Sequence, residues 1–249
     1  RGALAATVMM VDIRRLFTDL DRGMLDWLPP TVPLLVLLTK CDKLGFEQRI
    51  KVKRAEVKKL AEAFPGRGIE VIVDLVINHT SVEHEWFQAS RTTGTAFDDW
   101  YIWEEEDPGF ASPDGRVVWH RDDDRYYYGF FWEGMPDLDL TTAAVTSELD
   151  EISRFWVEEM GAAGFRLDAA RHLIEDGSTL ANTPETFDWL RGFKGRLQAE
   201  TPEALLLGEV WDSTESASSY VRDGALDLAF DFDLAAKMVG AVKMGSSSL

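Results

Sequence analysis

The sequence runs to 249 residues, 45% of them hydrophobic, with a formal net charge of −18. That length and apolar content suit one large α/β domain or two small ones. No run of eighteen apolar residues occurs, which argues against a membrane span, and no charged-then-apolar leader follows Arg1. The acidic balance argues against nucleic acid, whose phosphates require Lys and Arg, and suits neutral ligands. The single cysteine, Cys41, excludes an internal disulfide framework and a cysteine-built zinc site.

The charge is unevenly spread. Residues 1–64 carry twelve Lys and Arg against eight Asp and Glu, whereas the remaining 185 carry fourteen against thirty-six. Six of the nine lysines lie at or before Lys59, and eight of the nine tryptophans lie after it. Such a break marks either the meeting of two unrelated segments or a basic helix on an otherwise acidic protein.

In chain order, Leu4 to Val11 reads as a buried strand, Asp19 to Leu28 as a helix, Leu34 to Leu38 as a second buried strand and Arg49 to Phe64 as a basic helix. After the Pro65-Gly66 break, Ile69 to Ile77 is a third apolar strand, ending on Asn78-His79. Residues 80–143 are rich in Trp, Tyr, Asp and Gly, an insertion too aromatic to be disordered and too irregular to be one helix. The alternation then resumes with a helix over Thr146 to Met160, a strand over Gly164 to Leu167, a helix over Pro184 to Ala199, and strands over Ala204 to Leu207 and Leu226 to Phe230. This predicts an α/β fold, a parallel (β/α) series whose six strands form an incomplete TIM-type barrel, with the insertion after the third strand.

In parallel α/β folds the reacting groups gather at the carboxyl ends of strands. Asp74, inside an apolar strand, is costly unless paired, so it is expected to face the interior with a partner; the period of two puts residues 74, 76 and 78 on one face. Arg166 and Asp168 are two apart and project to one side, and an arginine beside a carboxylate keeps it ionised, as a nucleophile needs. Glu209 closes the following strand, after a Gly208 that leaves room for close approach; a partly apolar mouth would raise its pKa, as a general acid requires. Trp211 beside it either packs in the core or stacks on a sugar ring. Asp168 and Glu209 are about one βα unit apart in sequence and so occupy neighbouring strand ends, and two carboxylates across a cleft are the apparatus of glycoside hydrolysis.

The segments DLVINHT, MPDLDL, GFRLDAARH and GEVW occur in the order and at the spacings of the α-amylase family, glycoside hydrolase family 13, which residues 68–243 resemble. INHTSVEHEWFQASR followed by DDWYIW resembles the start of that family's inserted B domain. The resemblance implies Asp168 as the nucleophile of a retaining reaction and Glu209 as the acid/base. It implies His79 and Arg166 as groups that hold the sugar, with Arg171, His172 and Trp211 beside them. Asn78 matches the usual calcium ligand, with the carbonyl of His172 joining it, so calcium is the implied metal and no organic cofactor is implied. The implied partner is an α-glucan or maltooligosaccharide, neither nucleic acid nor membrane. Met135-Pro136-Asp137-Leu138-Asp139 resembles the motif of a branch between α-amylases and oligo-1,6-glucosidases, and Ala169 leans toward α-1,4 linkages.

The family's third catalytic carboxylate, in a His-Asp pair, has no match after Glu209, since the four histidines are His79, His84, His120 and His172. That loss predicts impaired turnover. Residues 1–50 instead resemble the C-terminal half of an EngB-type ribosome-assembly GTPase, through Ala6 to Arg14, Thr18-Asp19-Leu20-Asp21 and Leu37 to Leu44. Thr39, Lys40 and Asp42 match its guanine-reading motif. No phosphate-cradling G-x-x-x-x-G-K-[ST] loop exists. The expected organisation is a GTPase-like βαβα segment over 1–64 and a partial barrel over 65–249. The GTPase-like strands are expected to fill the first two strand positions of one sheet. The alternatives to a glucan hydrolase are a GTP-binding protein with a fused hydrolase fragment and a non-catalytic glucan-binding module.

Overall fold

The computed structural model describes residues 7–12, 18–20, 23–24, 34–39 and 70–244. Lys40, Asp42, the helix expected over Arg49 to Phe64 and the junction between Lys51 and Gly68 lie outside the described residues. Three apolar hexapeptides form β1 (Thr7–Asp12), β2 (Leu34–Thr39) and β3 (Glu70–Leu75). They pair in parallel, with Thr7 opposite Leu34 and Leu35 opposite Glu70. Further along lie β7 (Gly164–Leu167), β8 (Leu205–Gly208) and β9 (Leu228–Ala229), and the strand order is β1-β2-β3-β7-β8-β9. This is the parallel (β/α) series read from the sequence, with six strands in this sheet among the described residues where a closed TIM barrel has eight.

The chain divides into two compact units, one of residues 1–75, 153–166 and 201–205, the other of 76–152, 167–200 and 206–249. In the first, the Ala163 amide donates to Val71 O at 2.8 Å and the Leu205 amide to Ala163 O at 2.9 Å. Gly164 is demanded by this approach: a Cβ there would lie 2.1 Å from Leu205 O, at a φ of +149°. The partner expected for Asp74 is Arg166, whose Nη1 donates to Asp74 Oδ1 at 2.6 Å. Their side chains are 18% and 13% exposed, so each charge is mostly withdrawn from water and offset by the other.

β3 stops at Leu75, two residues before the end the sequence predicts. Beyond it the backbone leaves the parallel ladder to meet the 136–138 segment, with Leu138 N–H on Asn78 O at 2.8 Å and Thr80 N–H on Pro136 O at 3.0 Å. The period of two therefore does not carry from Asp74 through residues 76 and 78. Val76 is exposed whereas Asn78 and His79 are buried.

In the second unit the aromatic insertion folds as α1 (Glu85–Ser90) and a small antiparallel sheet in the order β4-β6-β5, from Trp103–Glu104, Arg125–Tyr128 and Trp119–Asp122. The His84 side chain caps α1 by accepting from the Trp86 amide. Phe87 then stacks on Trp103 at 5.5 Å and meets Tyr127 edge-on at 5.0 Å. A second cluster joins Val118, Tyr128, Phe130 and Leu180. Aromatic burial holds the insertion together where regular structure is sparse.

Helix α2 (Ala143–Arg154) is shorter than predicted because it widens into a π turn over Phe155–Glu159, closed by the Met160 amide donating to Phe155 O at 3.2 Å. Helices α3 (Pro184–Glu200), α4 (Thr214–Arg222) and α5 (Phe232–Met244) complete the alternation. No helix among the described residues is long and apolar enough to cross a membrane.

Candidate active site

The carboxyl ends of β7 and β8 are laced together within the second unit. Glu209 N–H donates to Leu167 O at 2.9 Å and Ala170 N–H donates to Glu209 O at 3.1 Å. This crossing puts Asp168 and Glu209 on neighbouring chain segments, as the one-unit sequence spacing predicts. Between them Ala169 takes φ +50°, a left-handed conformation that a residue with a Cβ rarely adopts. Gly208 is required by the same packing, since a Cβ on it would meet Leu226 Cδ1 at 2.2 Å.

Asp168 and Glu209 line one cavity of about 670 Å³ together with Arg171, His172 and Trp211. Its other walls include Phe130, Phe131, Arg116 and the 178–181 segment. Trp211 is 60% exposed, which overturns a core position for it. Its indole stacks on Phe232 at 4.0 Å and its Nε1–H donates to Glu209 Oε1 at 2.6 Å. A carboxyl oxygen of Glu209 is thereby held in a fixed direction by a hydrogen bond. Arg171 donates to the Trp211 carbonyl and pairs with Asp212 Oδ2 at 3.3 Å, bracing the loop that carries Trp211.

Behind this cavity lies a buried polar knot. Asn78 Nδ2 donates to His172 O at 2.5 Å and reaches Asp137 Oδ2 at 3.5 Å, while Asn78 Oδ1 meets His79 Nδ1 at 3.0 Å. Burial lowers the His79 pKa to about 4, so near neutral pH the ring is uncharged. His172 is likewise lowered to about 4, mainly by burial; its Nδ1 bonds Leu180 O at 2.7 Å and its ring stacks on Phe130 at 4.0 Å. Burial and the neighbouring Glu175 push the Asp137 carboxyl well above the usual range.

The family model described as "Alpha amylase, catalytic domain" matches residues 53–248. The chain belongs to the alpha-amylase family. Alpha-amylase 3 of Dictyoglomus thermophilum is 36% identical over 177 residues, 71% of this chain and 33% of that protein. Trehalose synthase/amylase TreS of Mycolicibacterium smegmatis is 34% identical over 204 residues, 75% of this chain and 34% of that protein. Among solved structures, the alpha-amylase from H. orenii is similar with a TM-score of 0.74 at 29% identity, covering 98% of this chain and 55% of that one. The chain spans about a third of the length of the two curated relatives.

Within the alpha-amylase family assignment, five of the residues singled out in the sequence share the cavity: Asp168, Glu209, Arg171, His172 and Trp211. His79 and Asn78 do not line it; they support it, His79 packing edge-on against Phe131 at 5.3 Å and Asn78 holding the His172 carbonyl. Arg166 belongs to the first unit, on Asp74. Thr39 ends β2, and the rest of the guanine-reading motif lies outside the described residues.

Asn78 and the His172 carbonyl, the groups the resemblance implies for calcium, lie together with Asp137: the Asn78 side-chain amide is 2.5 Å from His172 O and 3.5 Å from Asp137 Oδ2. Among the described residues no group of three or more His, Cys, Asp or Glu is placed to hold a metal. Phe130, Phe131 and Asp137 were not singled out as site residues. Asp137 sits inside the Met135 to Asp139 motif, and its burial at 2% exposure is the signal that sequence could not supply.

Proposed function

We propose that this chain carries the catalytic face of a retaining glycoside hydrolase acting on α-glucans or maltooligosaccharides. The observation that carries the proposal is the convergence of Asp168 and Glu209 on one cavity in a member of the alpha-amylase family. In this reading an Asp168 oxygen attacks the anomeric carbon while Glu209 gives its proton to the departing glycosidic oxygen. The resulting glycosyl ester on Asp168 is then cleaved by water, whose proton returns to Glu209. The Trp211 indole, bonded to Glu209 Oε1, fixes the orientation of that carboxyl group. Trp211, stacked on Phe232, offers an exposed aromatic face at the mouth, and Arg171 and His172 border the sugar. Arg166 and His79 are assigned to substrate by family likeness. Ala169 after the nucleophile favours α-1,4 linkages.

The third carboxylate of the family is not among these 249 residues, since no His-Asp pair follows Glu209. Turnover by this chain is therefore expected to be slow. The test is hydrolysis of a maltooligosaccharide glycoside by this chain and by Glu209→Gln. The variant should be about a hundredfold slower, and equal rates would refute the assignment. A non-catalytic glucan-binding module would instead bind maltooligosaccharides without turnover, with affinity unaltered by Asp168→Asn.

A second reading concerns residues 1–52, which precede the family match. Their sequence supports a GTPase-derived origin, with Thr39, Lys40 and Asp42 as a remnant guanine site. Guanine nucleotide binding seen by calorimetry and abolished by Asp42→Ala would favour it; no heat with the intact chain would remove it.

A further inference from the structure

One turn of the insertion reaches the wall of the cavity that holds Asp168 and Glu209. Ser112-Pro113-Asp114-Gly115 is a turn sequence, in which proline presets its own φ and glycine supplies a left-handed residue, here at φ +84°. The turn is closed by Gly115 N–H on Ser112 O at 2.8 Å, Ser112 N–H on Arg116 O at 2.9 Å and Arg116 N–H on Ser112 Oγ at 3.0 Å. Pro113, Asp114 and Arg116 thereby come to line the cavity.

Arg116 is held there in one orientation. Its Nε donates to Asp114 Oδ2 at 2.8 Å, and the other oxygen of Asp114 accepts from the hydroxyl of the buried Ser112. The guanidinium lies over the Phe130 ring, 5.0 Å from its centroid, and the buried Phe130 in turn stacks on His172 at 4.0 Å. The plane of the group is therefore fixed both along its edge and across its face. The Arg116 side chain is nonetheless 44% exposed, and among the described residues its two Nη groups have no hydrogen-bond partner. An arginine on an open surface loses rotamer freedom when it binds a ligand, whereas this one is already ordered, with accessible donors on a cavity wall.

The surrounding charge narrows what those donors take. Asp114 offsets the guanidinium, and Asp168 and Glu209 line the same cavity, so a phosphorylated or carboxylated ligand would meet like charge. An apolar ligand would strip water from the Nη groups without replacing its hydrogen bonds. Neutral hydroxyls satisfy both conditions, and the planar fork can reach two neighbouring oxygens at once.

We propose that Arg116 is a specificity-determining residue of the cleft, whose Nη groups donate to adjacent hydroxyls of a neutral sugar unit, and that the Asp114–Arg116 pair turns away phosphorylated sugars. The proposal rests on the glucan reading of the cleft and gives the insertion a share in choosing the substrate.

The test is calorimetric titration of the whole chain with maltotriose, in a Glu209→Gln background so that nothing is hydrolysed. Arg116→Met keeps an apolar cover on Phe130 but has no donor, and affinity should fall about tenfold, as expected for hydrogen bonds lost from a charged group. Arg116→Lys keeps the charge without the fork and should lose part of the affinity. Both positions are exposed, so melting temperatures should hold. With Glu209 present, Arg116→Met should raise KM and leave kcat unchanged. Asp114→Asn removes the counter-charge and should shift preference several-fold from maltose toward a 6-phosphorylated maltose. Full maltotriose affinity in Arg116→Met would overturn the inference and leave the glucan reading standing. So would a preference of the chain with Asp114 intact for the phosphorylated sugar. A parent chain that binds no maltooligosaccharide would overturn both, so the two failures are told apart.

Discussion

Replacing Glu175 by Gln should stabilise the protein, and by an amount that depends on pH in a calculable way. Burial raises the folded-state pKa of Glu175 from 4.5 to about 7. A carboxyl raised in this manner costs nothing below its unfolded pKa, where it is neutral in both states. The folded state then loses ground as pH rises from about 4.5 to about 7, because the unfolded chain ionises first. At ~1.4 kcal/mol per pH unit the loss reaches up to about 3 kcal/mol by pH 8. Gln cannot ionise, so the variant escapes it. The buried histidines act with the opposite sign: His79 and His172, held at about 4, weaken the fold as pH falls below about 6.5, but they do so in both proteins and cancel in the difference. Thermal unfolding at pH 4.5, 6 and 8 is the assay. The two melting temperatures should nearly coincide at the lowest pH and diverge by about 6–12 °C at the highest, for a chain of this size. A difference that is flat across this range, or that widens toward acid, would refute the reasoning and place Glu175 in water.

The Asp74–Arg166 pair yields a sharper stability test. Asp74→Ala removes a carboxylate paired with a largely buried guanidinium and should cost about 3–5 kcal/mol in chemical unfolding, whereas the double replacement Asp74→Leu with Arg166→Met should cost less. Gly164→Ala drives a methyl group into the Leu205 backbone at 2.1 Å, so a loss of at least about 3 kcal/mol, or no soluble folded protein, is expected on expression and melting. Trp211→Phe preserves an aromatic ring against Phe232 but removes the donor on Glu209 Oε1. Turnover of a maltooligosaccharide glycoside should fall about tenfold with little change in KM, and a fall confined to KM would assign Trp211 to binding alone.

The strands and the two carboxylates were legible because each rests on a local pattern. Continuous apolar runs mark β1, β2, β3 and β8, and Asp168 and Glu209 close runs whose ends the parallel fold must bring together. What escaped depends on partners distant in sequence. The end of β3 is set by Leu138 and Pro136, some sixty residues on, and no periodicity within Ile69 to Ile77 announces the point at which the ladder is left. The bond from Arg166 to Asp74 was hidden for a similar reason, since the two lie 92 residues apart.

The insertion was the least legible part, because its irregular backbone has no period and its packing is decided by side chains. Trp119, Tyr128 and Glu175 form no motif; only folding brings an indole, a phenol and a carboxyl to the wall of one cavity. Composition did report that the insertion is packed, since so many aromatics cannot stay solvated. Buried tryptophans usually bond their N–H, yet those of Trp100, Trp103 and Trp119 have no partner among the described residues. Trp211 satisfies its own on Glu209, at the edge of the cleft. An unpaired indole N–H therefore does not single out Trp119, whereas the bonded one of Trp211 orients a carboxyl group that lines the cleft.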